Sequence, residues 1–312
     1  MSGSMQLIDA SRDGQRIDNF LFTHLKGVPK GLIYRLLRTG KIRVNGKRVK
    51  QTYRLQEADE IKIPEIRVSD NEPVNISERV KQLIDEAIIY ENDQILAINK
   101  PAGLAVHPGS GISFGVIEVL RALRPDAAFL ELAHRLDKET SGCLLIAKDK
   151  ATLNELQDQL RGTEIKKHYQ LMVKGEWDLG EKVIDTPLQT KGQFDVDDTK
   201  NRFKQAHTTF SPLEYYSGFT MLTAQIKTGR THQIRIHAAQ TGFPVLGDSK
   251  HGDFACNREC KKMGLKRMFL HAAELSFKLG AMPKRLTISA PLSDELKVFI
   301  QGLPPRMDHL SN

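Results

Sequence analysis

Residues 14–63 show a helical pattern of apolar positions, followed by a pattern typical of a hairpin. In "QRIDNFLFTHL" the helical spacing predicts a helix with one buried stripe, formed by Ile17, Phe20, Leu21 and Leu25. A second helix is predicted over "KGLIYRLLRT", because Pro29 precedes it and Gly40 follows it, as is common at helix ends. In "KIRVNGKRV", the Asn45-Gly46 pair predicts a tight β-hairpin.

Strand-like runs predominate after about residue 86, and the helices among them do not alternate strictly with strands. Strands are predicted for "AIIYENDQILAINK", "GCLLIAKD", "KKHYQLMVKG", "AHTTFSPLEYY", "FTMLTAQIKTG" and "HQIRIHA". Amphipathic helices are predicted for "FGVIEVLRAL" and "ATLNELQDQLR". This mixture predicts an α+β fold with a mixed, mostly antiparallel sheet flanked by helices, and it disfavours a doubly wound parallel sheet.

The chain is long enough for two domains. Residues 64–84 carry two prolines and scattered polar residues without clear periodicity, which favours a linker. We therefore predict a small N-terminal α+β domain over 14–75, a linker over 76–85 and a larger domain over 86–303.

All of the excess positive charge lies in the N-terminal segment. Residues 14–63 contain 12 Lys or Arg against 4 Asp or Glu, whereas the whole chain has a net charge of +8. A basic module beside an electrically balanced body suggests binding of a polyanion such as RNA. The candidate binding residues are Lys30, Tyr34, Arg35, Arg38, Lys41, Arg43, Lys47 and Arg48. A solvated charged face remains the alternative, and no lipidation motif supports a membrane partner.

Several classes of protein are not favoured by the sequence. The N-terminus has no secretory signal, no apolar run could span a bilayer, and three cysteines suit a reducing cytoplasm. His251, Cys256 and Cys260 are spaced too loosely to indicate a metal site. No phosphate-binding loop, dinucleotide fingerprint or nucleophile elbow occurs. We expect a cytoplasmic monomer without a nucleotide cofactor.

Three stretches carry candidate catalytic residues: "AHRLDKETSG" (133–142), "KKHYQLMV" (166–173) and "GRTHQIRIH" (229–237). Asp137 in the first is either a reacting carboxylate or part of a solvated turn. Tyr169 in the second is predicted to point opposite to its neighbours, as packing residues in strands also do. The third reads as a strand with Ile234 and Ile236 on one face and Arg235 on the other. Taken singly, none of these stretches decides the function.

Together, these motifs resemble a known family. "HRLDKETSG" is similar to the signature of the pseudouridine synthases that modify large-subunit ribosomal RNA, and "NKPAGLAVHP", "KKHY", "TGRTHQIRIH" and "GFPVLGD" resemble the other motifs of that family, in the same order. Residues 14–63 resemble the S4-type RNA-binding domain that many members carry. Three further stretches resemble the C type of these large-subunit pseudouridine synthases: "GQRIDNFL", "LKGVPK" and "SFGVIEVLRALRP". At residue 251 this chain has His where the family often has Tyr.

The resemblance implies a pseudouridine synthase fold, an S4-like N-terminal domain and isomerisation of uridine to pseudouridine in 23S ribosomal RNA, without metal or organic cofactor. It implies that Asp137 is the catalytic aspartate, that Arg235 pairs with it, that Tyr169 stacks on the target base, and that Arg135 takes the place of the flipped nucleotide. Three alternatives stay open: a relative acting on another RNA, a non-catalytic RNA-binding or ribosome-assembly protein, and a hydrolase that cleaves the glycosidic bond.

Overall fold

The computed structural model divides the chain into two compact units, Met1–Asn75 and Ile76–Asn312. It describes residues 3–25, 28, 30–66, 76–108, 113–189, 203–280 and 284–306. None of the helices in these ranges combines the length and the apolar character that crossing a bilayer requires. The same ranges contain no group of three or more His, Cys, Asp or Glu side chains placed to hold a metal ion.

The first unit pairs two helices with a small antiparallel sheet. Its elements are β1 (Ser4–Leu7), a 3-10 turn (Ala10–Arg12), α1 (Ile17–His24), α2 (Lys30–Arg38), β2 (Arg43–Val44) and β3 (Glu60–Ile63). The strand order is β1-β3-β2. The predicted helical stripe is confirmed, because all four of its apolar side chains are buried in the core of this unit.

The predicted turn of the hairpin is also confirmed. Asn45 and Gly46 have positive φ angles of 49° and 73°, the conformation that a tight two-residue hairpin turn requires. Val44 and Lys47 exchange both backbone hydrogen bonds across it. The neighbour of β2 in the sheet is nevertheless β3 and not a strand immediately after the turn.

The second unit is built around one large sheet. Its elements are α3 (Glu78–Asp85), β4 (Ile88–Glu91), β5 (Ile95–Lys100), α4 (Val116–Leu123), β6 (Glu131–Leu132), β7 (Ser141–Ala147), α5 (Lys150–Arg161), β8 (Lys166–Lys174), β9 (Lys182–Asp185), β10 (Leu188–Gln189), β11 (Phe203–Lys204), β12 (His207–Tyr216), β13 (Phe219–Ile226), α6 (Gln233–Gln240), α7 (Phe254–Lys262), β14 (Leu270–Phe277), β15 (Leu286–Ser289) and α8 (Asp294–Gln301).

The strand order is β4-β5-β7-β14-β8-β13-β12-β9, with β6 also paired to β7 and β15 to β14. In the described part of the sheet, β14 and β7 run parallel and the other pairs are antiparallel. The predicted α+β class with a mixed, mostly antiparallel sheet is therefore confirmed.

The centre of the sheet is covered on both faces. In β7, Leu144 and Ile146 belong to one apolar cluster, whereas Cys143, Leu145 and Ala147 belong to another. Helices α3 and α4 supply side chains to the first cluster and α5 to the second. A strand buried on both faces reads as a continuous apolar run, which explains "GCLLIA".

The interpretation of residues 76–85 as a linker is wrong. Residues Glu78–Asp85 form α3, which packs against α4 within the second unit. Its apolar stripe is narrow: Ile84 is buried and Val80 is partly buried against the same core. Three apolar residues in eight, of which Leu83 is exposed, gave too weak a period to distinguish this helix from a polar connection. The proline-containing stretch 67–75 lies outside the described residues.

The interpretation of "HQIRIHA" as a strand is also wrong, because Gln233–Gln240 form helix α6. The period-two interpretation assumed that the polar side chains face water. In the structure Gln233, Arg235 and His237 are buried together with Ile234 and Ala238. Because buried polar side chains with hydrogen-bond partners behave like core residues, the apolar pattern alone misreads this segment.

Candidate active site

Asp137 lies in a tight turn between β6 and β7. Its own carbonyl accepts a hydrogen bond from Thr140 N (3.1 Å), and the carbonyl of Lys138 accepts one from Gly103 N (2.8 Å). The carboxylate of Asp137 remains 20% exposed. The turn therefore fixes the backbone and leaves the carboxylate facing open space.

Lys100 supports this turn from below. Its buried ammonium donates to the carbonyls of Pro101 (2.7 Å), Leu104 (2.9 Å) and Lys138 (3.1 Å). Burial lowers the pKa of Lys100 to about 7, and Asp137 is among the charges that oppose this shift. The lysine of "NKPAG" thus ties two loops together, a role that the sequence did not indicate.

The residues after Asp137 fix the start of β7 against β14. Gly142 has φ of +111°, and a Cβ there would lie 2.2 Å from the carbonyl oxygen of Ala272. His271 Nε2 donates to Ala290 O (2.9 Å), so its Nδ1 accepts from the Ser141 hydroxyl (2.8 Å). Ser141 and Gly142 are therefore explained by close packing of two strands.

His134 is an anchor for the same turn. Its Nε2 accepts a hydrogen bond from the amide of Leu145 (3.1 Å). Burial, with a smaller contribution from Lys167, lowers the pKa of His134 to about 4. The imidazole is therefore neutral, and its Nε2 is already hydrogen-bonded to Leu145. These properties do not suit an acid or base that acts on substrate.

Arg235 is held on α6 by a loop that Gln233 organises. The Gln233 side chain accepts from Thr228 Oγ1 (2.7 Å) and Arg230 N (3.0 Å) and donates to His207 O (2.9 Å). His232, which has a left-handed backbone conformation with φ of 57°, follows this loop and immediately precedes α6. These contacts place the first turn of the helix beside Asp137.

The structure brings Arg235 and Asp137 together, but the principal partner of Arg235 is another carboxylate. Arg235 Nε and Nη2 donate to the two oxygens of Asp248, both at 2.6 Å, whereas Nη1 lies 3.4 Å from Asp137 Oδ2. Burial alone would lower the pKa of Arg235, but Asp248 and then Asp137 outweigh burial and raise it. The same pair lowers the pKa of Asp248 despite burial.

His232 lies beside Asp137, and His251 contacts His232. His232 Nε2 lies 3.8 Å from Asp137 Oδ2, and His232 Nδ1 lies 2.9 Å from His251 Nε2. Burial lowers the pKa of His232, with Asp137 opposing this effect. Residue 251, where this chain departs from the family pattern, therefore contacts a residue beside the candidate catalytic carboxylate.

Tyr169 lines the same cleft as Asp137. The space in this open cleft, including the solvent at its opening, is about 530 Å³, and its walls include Arg135, Asp137, Tyr169, His232 and Arg235. As predicted, Tyr169 faces the core side of β8, whereas its neighbours are more exposed. Burial, followed by the charge of Asp137, raises the pKa of Tyr169, so the phenol stays neutral.

A second open cleft, about 1080 Å³ including the solvent at its opening, also borders Asp137. It is also lined by the exposed cations Arg135, Lys138 and Lys250. The two clefts share Asp137, Arg135 and Arg235, so the carboxylate is accessible, and the cations lining the second cleft outnumber its one other acid among the described residues, Glu139.

In the first unit, the predicted basic face is exposed with two qualifications. Arg35, Arg38, Lys41, Lys47 and Arg48 are exposed. Tyr34 is partly buried, with its ring edge-to-face with Phe22 at 5.6 Å. Arg43 donates to the carbonyls of Gly40 (2.9 Å) and Gly46 (3.3 Å), so it also holds the turn. The side chain of Lys30 lies outside the described residues.

Comparisons with known proteins agree with this architecture. Residues 94–240 match the family described as RNA pseudouridylate synthase, and residues 15–61 match the S4 domain. The chain is 45% identical to the ribosomal large subunit pseudouridine synthase C of Escherichia coli K12, over 95% of both chains. It is 44% identical to the protein of that name from Pasteurella multocida, over 96% of this chain and 93% of that one.

A solved structure supports the same assignment. Human RNA Pseudouridylate Synthase Domain Containing 4 is 26% identical, with a TM-score of 0.61 over 73% of this chain and 98% of that chain. Human RNA Pseudouridylate Synthase Domain Containing 1, at 22% identity and a TM-score of 0.57, shares the fold. The similarity to the bacterial proteins extends over nearly the whole chain, and the fold agrees with it. The chain therefore belongs to the RNA pseudouridylate synthase family.

Proposed function

We propose that this protein isomerises specific uridines to pseudouridine in 23S ribosomal RNA and that Asp137 carries the reaction. The observation that supports this most directly is the cleft in which an accessible carboxylate, a buried guanidinium and a phenol ring meet. The similarity to enzymes named for the large ribosomal subunit supports the choice of RNA.

The reaction breaks the N1–C1′ bond of uridine, turns the base, and joins C5 to C1′. The proton leaves C5 and N1 gains one, so no water or redox partner is consumed. Asp137 supplies the negative charge that cleavage requires, either as a nucleophile or as the counter-charge of the developing sugar cation. Because the base stays in the cleft, one carboxylate is sufficient.

Tyr169 and Arg135 serve the extrusion of the nucleotide. The target atoms are inaccessible in a stacked helix, and flipping a nucleotide costs a few kcal/mol. Stacking on an aromatic ring recovers about 1–3 kcal/mol per base. Tyr169 offers such a ring as a neutral phenol. The exposed Arg135, in the wall of the same cleft, fills the space that the base leaves in the RNA helix.

The first unit anchors the RNA through its basic face. Arg35, Arg38 and Lys47 are exposed and suit phosphate contacts, which position a nucleic acid without reading its sequence. Tyr34 presents a partly exposed ring next to these cations. The enzyme works in the cytoplasm as a monomer and needs no nucleotide cofactor.

The test is pseudouridine mapping on unmodified 23S RNA incubated with the protein. Asp137→Asn should abolish product formation and leave RNA affinity within a few-fold of the wild type. The control Asp126→Asn changes an exposed carboxylate outside both clefts and should still form the product. Wild-type activity in Asp137→Asn would refute the role of Asp137. RNA binding without product would indicate a non-catalytic protein, and free uracil would indicate a hydrolase.

A further inference from the structure

We propose that Asp248 and Asn257 are positioning residues for the reaction: Asp248 fixes Arg235 and offsets its charge, Asn257 holds the backbone of Asp248, and Asp137 thereby keeps an available negative charge. This inference rests on the proposed function of Asp137. Neither residue belongs to the four catalytic candidates that the sequence indicated, and Asn257 lies in α7, outside every motif described above.

The carboxylate of Asp248 is fully occupied. It is 1% exposed and accepts four hydrogen bonds: two from Arg235 at 2.6 Å and one each from the amides of Lys250 (2.8 Å) and His251 (3.1 Å). A bidentate pair between Arg and a carboxylate is both strong and directional. Asp248 therefore sets the plane and the position of the guanidinium.

This geometry divides the guanidinium unequally between two acids. Asp248 takes two short hydrogen bonds, and Asp137 receives one N–H at 3.4 Å. One positive charge thus lies between two negative charges and is already paired with the deeper one. Asp137 is oriented by Arg235 but only weakly paired with it, and one long hydrogen bond to Oδ2 leaves most of the accepting capacity of the carboxylate for the sugar or the base.

Asn257 holds the backbone on both sides of Asp248. Its Oδ1 accepts from Gly247 N (2.8 Å) and its Nδ2 donates to Asp248 O (2.9 Å). Gly247 has φ of +74°, and a Cβ there would lie 2.2 Å from Arg267 O; a Cβ on Gly252 would lie 2.2 Å from Asp248 O. The loop can therefore take this path only with glycines at both positions, and the amide of Asn257 fastens it to α7.

The experiment measures single-turnover pseudouridine formation as a function of pH. Asp248→Asn is close in shape, and Asn257→Ala and Asn257→Asp leave the Asp248 carboxylate in place. The controls are Asp253→Asn, which changes a carboxylate at the start of α7, and Lys262→Ala at its exposed end. RNA affinity and melting temperature are measured for every variant.

We expect Asp248→Asn to reduce the rate constant about 100-fold and Asn257→Ala about tenfold, since small misplacements of catalytic groups have effects of this size. RNA affinity should change by no more than a few-fold, and both controls should keep near wild-type rates. In Asp248→Asn the whole charge of Arg235 faces Asp137, while His232 and Tyr169 are unchanged. The acid limb of its pH–rate profile should therefore move to lower pH.

The inference would be overturned if all variants, including Asp253→Asn, lost rate to the same extent at every pH. Such a result would indicate an unspecific loss of structure around α7. Near wild-type rates in the Asp248 and Asn257 variants would overturn it as well. If Asp248→Asn does not fold, the two Asn257 variants decide by the same criteria. A wild-type protein that forms no pseudouridine would instead overturn the proposed function, and this inference with it.

Discussion

His134→Gln isolates what one neutral imidazole contributes to acid stability. In the native protein His134 Nε2 accepts from the amide of Leu145, so that nitrogen carries no proton. Burial and Lys167 lower the pKa of His134 to about 4, compared with 6.5 for an ordinary histidine. A glutamine offers an oxygen that can accept the same hydrogen bond but does not titrate.

The sign and size of the effect follow from these two pKa values. Between pH 6.5 and about pH 4, the unfolded chain binds a proton at His134 that the folded chain does not. The free energy of unfolding therefore falls as the pH falls through this window. At about 1.4 kcal/mol per pKa unit, the shift corresponds to at most about 3 kcal/mol, and because His134 as a whole residue is only partly buried we expect about 2 kcal/mol.

The assay uses the single tryptophan of the chain, Trp177, which is buried in the second unit. Urea unfolding is followed by its fluorescence at about pH 7.5 and about pH 4.5, on either side of most of the window. The wild type should lose about 2 kcal/mol more than His134→Gln between these conditions. Burial also lowers the pKa values of His237 and His271, but both are present in each protein and cancel in the comparison. Equal losses would refute the reasoning.

Three further predictions follow from particular contacts. Lys100→Met removes three hydrogen bonds beneath the catalytic turn and should reduce the single-turnover rate up to about 100-fold with little change in RNA affinity. Gly142→Ala places a Cβ 2.2 Å from backbone on β14 and should destabilise the second unit by more than about 2 kcal/mol, measured by urea unfolding. Combined Ala substitutions at Arg35, Arg38 and Lys47 should reduce the slope of log affinity against log salt by about 2, from roughly 0.7 per lost phosphate contact; an unchanged slope would exclude this face from binding.

The sequence predicted the elements whose apolar residues repeat with one clear period. The stripe of α1 is such a case, whereas the Asn45-Gly46 pair predicted the turn and a continuous apolar run predicted β7. The prediction failed where polar side chains are buried, as in α6. Arg235 is buried there because Asp248, which follows it in the sequence only after the end of α6, compensates its charge.

The candidate site shows the same division. Asp137, Arg235, Arg135 and Tyr169 were identified from motifs, and the structure places all four around one cleft. The supporting contacts could not be predicted, because an amide such as Asn257 gains its meaning only from the backbone that the fold brings next to it.

The charges around Asp137 address a conflict that any RNA enzyme with a reactive carboxylate faces. The carboxylate has to stay negative, yet a negative site repels the phosphates of the approaching strand. Pairing the compensating cation directly with Asp137 would keep the carboxylate ionised but would occupy the oxygens that the reaction needs. Here Arg235 is satisfied mainly by Asp248, and the cations that offset the repulsion, Arg135, Lys138 and Lys250, are exposed along the cleft walls. The phosphates thus meet positive charge at the rim, while the extruded nucleotide meets an unneutralised carboxylate within.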